Sequence, residues 1–156
     1  MWRRSLLIAL LLVAITSLSV SAPRAGAKKR SHTIVTSVRA VLDAQVEAWN
    51  RGDIEGYMAG YWRSEETIFI SGDSVTRGWQ TVLARYRKGY DSREKMGTLT
   101  FSDLEITPLG NDAAVALGRW RLQRAKDEPH GTFTLIFRKT KQGWRIVHDH
   151  TSSANG

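Results

Sequence analysis

Two histidines one residue apart, His148 and His150, close the stretch Gly143-Trp-Arg-Ile-Val-His-Asp-His-Thr-Ser152. Side chains alternate sides along an extended chain, so Trp144, Ile146, His148, His150 and Ser152 share one face. Arg145, Val147, Asp149 and Thr151 take the other. The face holding Trp144 and Ile146 has more apolar area to bury, which predicts both imidazoles inward and Asp149 away from them. An inward face that begins apolar and ends polar describes a core opening into a pocket. Imidazoles there can serve as general acid or base, contact a ligand, or hydrogen-bond neighbours and close the mouth. A metal centre needs more ligands than two, and no third stands at a fixed spacing, so neither metal nor other cofactor is expected.

Other residues of the same character lie upstream. Gln45 falls on an apolar helical stripe, where a buried amide must find partners in backbone, water or ligand. Trp49, Tyr57, Tyr61, Tyr86, Tyr90 and Trp120 supply aromatic walls. Gly118, two residues before Trp120, leaves room beside it. No phosphate-cradling glycine loop, catalytic carboxylate pair or nucleophile elbow is present.

The elements that must position these groups are legible in order. Ile34, Val38, Val41/Leu42, Gln45/Val46 and Trp49 recur at helical spacing and predict a helix over 33–50, capped by Ser31 or Thr33 and ended by Gly52. Asp53 caps a second helix over 54–62, with Tyr57 and Tyr61 one turn apart. A short hairpin turns at Ser71-Gly-Asp-Ser74, and a third helix covers 79–90. The rest is strands. Leu99 and Phe101 sit on odd positions but Leu104 and Ile106 on even ones, a phase change that marks a β-bulge near Ser102-Asp103. Strands over 113–124, 131–139 and 143–152 complete the order α-α-β-β-α-β-β-β-β. The fold class is α+β, a cone-shaped, bent antiparallel sheet wrapped around N-terminal helices.

Charge and leader bound the partners. The net charge is +8, but six of 23 basic residues precede Ser31 and no acid precedes Asp43, leaving 17 basic against 15 acidic. A nearly balanced domain lacks the footprint that nucleic acid needs, so no nucleic-acid partner is expected. Arg3 and Arg4, an apolar run over 6–15 and Val20-Ser21-Ala22 have the form of a signal peptide cleaved after Ala22. The apolar run is too short to span a bilayer, so no stable membrane anchor is expected after cleavage. The organisation read from these features is leader 1–22, flexible basic linker 23–32, folded domain 33–153 and tail 154–156, secreted or periplasmic. The chain has no cysteine, which removes disulfides and thiolate chemistry.

At Val46-Glu-Ala-Trp-Asn-Arg-Gly-Asp53 and at Gly143–Ser152 the chain resembles the nuclear-transport-factor-2-like superfamily. Within it the sequence looks most like SnoaL-like proteins and the association domain of calcium/calmodulin-dependent kinase. The resemblance runs from about Thr33 to Ser153. It implies the cone fold and a twofold homodimer through the outer sheet face, here carrying Arg119, Arg121, Arg145, Val147 and Thr151. In the ketosteroid-isomerase branch the resemblance would place an oxyanion-donating tyrosine at Gln45 and a basic aspartate at Ile70; both groups differ here, which disfavours that mechanism.

The expected function is binding of a small apolar or amphipathic molecule in an aromatic, histidine-capped pocket formed by Gln45, Trp49, Tyr57, Tyr61, Tyr86, Trp120, His148 and His150. The alternatives are a lyase, cyclase or isomerase using His148 or His150 as base, and a non-catalytic dimeric assembly module.

Overall fold

The computed structural model describes residues 23–154. The expected leader over 1–22, its cleavage site and the last two residues of the expected tail lie outside them. Helix α1 (Pro23–Asn50) is followed by α2 (Ile54–Met58), β1 (Ile68–Ser71), β2 (Ser74–Arg77), α3 (Trp79–Gly89), α4 (Arg93–Met96), β3 (Thr98–Pro108), β4 (Ala113–Gln123), β5 (His130–Thr140) and β6 (Gly143–Thr151). Helix α1 starts ten residues ahead of the expected boundary, so the basic stretch taken for a flexible linker continues the helix. In its exposed part Thr33 Oγ1 donates to the Lys29 carbonyl one turn back, and Arg30 Nη1 donates to Asn111 Oδ1 in the turn after β3, each at 3.0 Å.

One face of α1 is buried. Ile34, Val38, Leu42, Gln45 and Trp49 are all at most 6% exposed, the stripe that the spacing predicts. The helix end is tied to the sheet by Asn50. Its Nδ2 donates to the Leu99 carbonyl at 3.0 Å, and its Oδ1 accepts from the Leu99 amide at 2.7 Å. Gly52 then adopts φ 86°, and Asp53 Oδ1 accepts from the Gly56 amide at 2.7 Å to cap α2. The Asn50-Arg-Gly-Asp53 run thus clamps a strand, reverses the chain and starts a helix.

The six strands form one sheet in the order β2-β1-β6-β5-β4-β3. The fold is α+β with a bent, unclosed sheet, and its pairings are antiparallel except for β1 beside β6, which run parallel. In β3 the register shifts between Ser102 and Glu105, with Asp103 at φ 51°. This is the bulge that the phase change predicts, and it lets Phe101, Leu104 and Ile106 all pack against the core. The inner row of β4 runs Ala114, Ala116, Gly118, Trp120, Leu122, small residues first. Gly118 is not a gap: a β-carbon there would meet Phe133 at 2.6 Å and Leu104 at 2.7 Å. The room expected beside Trp120 is filled by those two side chains.

A second bulge lies in β6. Phe137 pairs with Ile146, yet the adjacent Ile136 pairs with His148. Val147 is therefore a surplus residue with no partner on β5. Ahead of it the flanking segment Gly60–Trp62 pairs with Ile146, through Trp62 N to Ile146 O and Ile146 N to Gly60 O, both 2.9 Å. Beyond it β1 takes over as the neighbour of β6, with Phe69 beside Asp149.

Candidate functional site

The bulge decides what faces the core. An extra residue reverses the alternation, so Trp144 and Ile146 point inward before Val147, and Asp149 and Thr151 after it. Asp149 is 3% exposed, whereas His150 is exposed and His148 half-buried. His148 stands in a cross-strand row with Ile136 and Ile68, and His150 in one with Thr134 and Ile70, on the outer face. The expectation of two inward histidines is corrected accordingly: neither lines the cavity, and the residue assigned to the opposite face does.

That cavity encloses about 370 Å³ between the helices and the inner sheet face. Of the residues expected around it, Gln45, Trp49, Tyr57, Tyr61, Tyr86 and Trp120 line it; Tyr90, named as an aromatic wall, does too. Phe69, Leu99, Phe101, Phe133 and Leu135 complete an apolar wall that the sequence did not single out. The aromatic rings pack on one another, Trp49 edge to face and Tyr57 tilted against Tyr86. Trp49 meets Tyr90 at 4.7 Å and Tyr57 at 5.1 Å between centroids, and Tyr57 lies 5.2 Å from Tyr86. Such pairs hold the wall rigid without help from a ligand.

At the buried end sits a carboxyl. Tyr61 Oη donates to Asp149 Oδ2 at 2.6 Å, and Thr151 Oγ1 donates to Oδ1 at 2.7 Å. Tyr61 is there because α2 stops at Met58, short of the expected end at residue 62, and the chain crosses to bridge Ile146. Burial raises the Asp149 pKa to about 6 against the opposing pull of its two hydrogen bonds. Burial likewise raises the hydroxyls of Tyr57, Tyr61 and Tyr86, and the nearby carboxylate adds to it. All three phenols are therefore held neutral, and Asp149 is the cavity group that can change protonation near neutral pH.

Gln45 has its partner within the fold: Nε2 donates to the Tyr57 carbonyl at 3.0 Å. A β-carbon at Gly60 would meet the Gln45 amide at 2.7 Å, so the chain after α2 passes directly over it. Ile70 pairs with Val75 and His150 on the outer face, so the position at which the isomerase resemblance implies a base lies outside the cavity. Trp120 Nε1 donates to the Ser152 carbonyl at 2.9 Å near the rim.

The rim is cationic. Arg85, near the end of α3, and Arg124, just past β4, both line the cavity, with Ser71 and Ser153 beside them. Neither arginine was singled out in the sequence. A lone arginine in a nearly balanced chain carries no signal until the fold brings two together.

Comparison with known proteins identifies the family. The SnoaL-like domain matches residues 38–156, and the chain belongs to that family. Among solved structures, an NTF-2 like protein of unknown function from Shewanella oneidensis MR-1 is 44% identical, with a TM-score of 0.73 over 76% of this chain and 98% of that one. An NTF2-like protein of unknown function from Pseudomonas putida KT2440 is 19% identical, TM-score 0.66, covering 81% and 90%. A ketosteroid isomerase-like protein from Erwinia carotovora atroseptica is 17% identical, TM-score 0.62, covering 78% and 96%. The latter two share the fold. No curated protein matches.

Proposed function

We propose that the domain binds a small, mostly apolar organic molecule in the tyrosine-walled cavity and exchanges a proton with it through Asp149. The observation that carries this reading is the Tyr61–Asp149 pair, a buried carboxyl with its pKa raised to about 6 at an aromatic cavity. A carboxyl poised there is ionised often enough to accept a proton near pH 7 and is easily reprotonated, which suits general acid–base work. Tyr61 orients it and stays protonated. The reaction class this supports is lyase-, cyclase- or isomerase-type proton transfer at carbon: Asp149 takes a proton from a C–H beside a carbonyl and returns it to the same or a neighbouring atom.

Deuterium uptake from D2O into a panel of small cyclic ketones, followed by NMR, tests it. Wild-type protein is expected to accelerate exchange into at least one ketone and Asp149→Asn to lose the effect. Equal exchange with both proteins refutes the catalytic part. A panel in which no compound shifts the melting temperature refutes the cavity as a binding site.

A second reading concerns assembly. The outer sheet face exposes Leu117 at 45%, Ile136 at 37% and Val75 at 53%, with His148 and His150 among them. This apolar row supports a homodimer in which two such faces meet about a twofold axis. Thr151, expected on that face, turns inward instead. The leader-like run over 1–22 supports a secreted or periplasmic setting for either reading; signal-sequence cleavage in cell fractions tests it.

A further inference from the structure

The two rim arginines differ from the other cations of the molecule in what surrounds them. Arg124 Nε is buried and has no hydrogen-bond partner among the described residues. Its guanidinium lies 6.0 Å from the Tyr90 ring centroid, and its Nη1 stands 3.6 Å from Asp127 Oδ2. Those contacts use one face and one end of the group and leave the Nε edge unserved. Arg85 lies 5.3 Å from the Phe69 ring centroid, with only long contacts to Ser74 and Thr76 hydroxyls at 3.3 and 3.4 Å. Among the described residues no carboxylate lies within 4 Å of it. Both cations act on the Tyr90 hydroxyl, lowering its pKa against the larger effect of burial. Both guanidiniums line the same cavity.

A buried donor without an acceptor is costly and rare, and a guanidinium edge is shaped for an oxyanion. We propose that the cavity takes an amphipathic monoanion, a carboxylate on a small apolar body, with the carboxylate held at the rim by the guanidiniums of Arg124 and Arg85, both of which line the cavity. The apolar body then lies among Phe69, Tyr86, Phe101 and Phe133, and its far end reaches toward Tyr61 and Asp149. Charge balance selects a monoanion. Asp127 offsets part of Arg124, so the rim offers less than two full positive charges. Asp149, buried at the other end, disfavours a second negative charge deeper in. This rests on the cavity being a binding site, and it names the class of molecule that the site takes.

Calorimetric titration of the whole protein with matched probes separates the two levels. The probes are cyclohexanecarboxylate, cyclohexanecarboxamide and cyclohexyl phosphate. Cyclohexanecarboxylate is expected to bind about tenfold or more tightly than the amide, on the scale of a charge-assisted hydrogen bond. Arg124→Gln and, separately, Arg85→Gln should erase that preference, bringing the carboxylate down to the affinity of the amide. Should Arg124→Gln fold poorly, Arg85→Gln alone still decides. Equal binding of carboxylate and amide, or a preference that survives both substitutions, overturns the carboxylate assignment while leaving the cavity as a binding site. Tighter binding of the phosphate overturns the monoanion. Binding of none of the three removes the cavity reading and this one together.

Discussion

Tyr61 and Asp149, 88 residues apart in the chain, meet through a 2.6 Å hydrogen bond at the buried end of the cavity. The contact joins the segment after α2 to the last strand, and each partner depends on an irregularity. Tyr61 needs a helix that stops early, and Asp149 needs a strand that changes phase.

The buried carboxyl makes stability depend on pH in an unusual direction. The folded pKa is about 6 against an ordinary 3.8. Between those values the folded protein binds more protons than the unfolded chain, so stability falls as pH rises through the window. About two pH units of separation correspond to about 3 kcal/mol. Asp149→Asn is expected to flatten that slope and to melt higher than wild type at pH 8. Melting curves from pH 4 to 8 check it, and a slope in Asp149→Asn equal to that of wild type refutes the assignment.

Asn50 holds both polar groups of Leu99 with one side chain. Asn50→Asp keeps the shape but replaces the donor by a carboxylate oxygen against the Leu99 carbonyl. A loss of about 1 kcal/mol is expected, the scale of one hydrogen bond lost at a part-buried site. Urea unfolding at pH 7 measures it; the loss should shrink when the carboxyl is protonated at low pH.

Gly131 sits where β5 passes under the chain's end. A β-carbon there would overlap the Ser152 carbonyl and come within 2.9 Å of Trp120 Nε1. Gly131→Ala is expected to break the Trp120–Ser152 bond and cost about 1–3 kcal/mol, the range for overpacking. Trp120 fluorescence at the rim should change with it, in a protein whose far-UV dichroism stays wild-type.

Ile136 and His148 pair across strands on the outer face. Ile136→Asp should convert a dimer to monomer in sedimentation at tens of micromolar (an order-of-magnitude choice) without altering the cavity. His148→Ala and His150→Ala should leave binding of cyclohexanecarboxylate and related cavity probes unchanged. A cavity effect from either histidine would contradict their outward placement.

The two bulges explain how much of this was legible. In β3 the shift falls inside an apolar run, Leu99 and Phe101 before it and Leu104 and Ile106 after, so hydrophobicity itself reports the change of phase. In β6 the shift falls where both faces turn polar. Histidines on one phase and aspartate and threonine on the other give burial nothing to choose between, and regular alternation points the wrong way. Trp49, Tyr57 and Tyr86 were legible because helical spacing fixes them locally, and Trp120 because strand alternation does. The rim arginines were not, because they stand far apart in the sequence and reach one cavity only in the folded chain.

Val147 has one more consequence. Paired without the surplus residue's interruption, the same strand would send His148 and His150 inward and Asp149 out. The chain thus encodes two vocabularies for its cavity, one of imidazole and one of carboxylate, written on opposite phases of a single strand. The position of one unpaired residue selects which is spoken. Within such a scaffold the chemistry of the hollow can change by a slip of register, with no reactive side chain gained or lost.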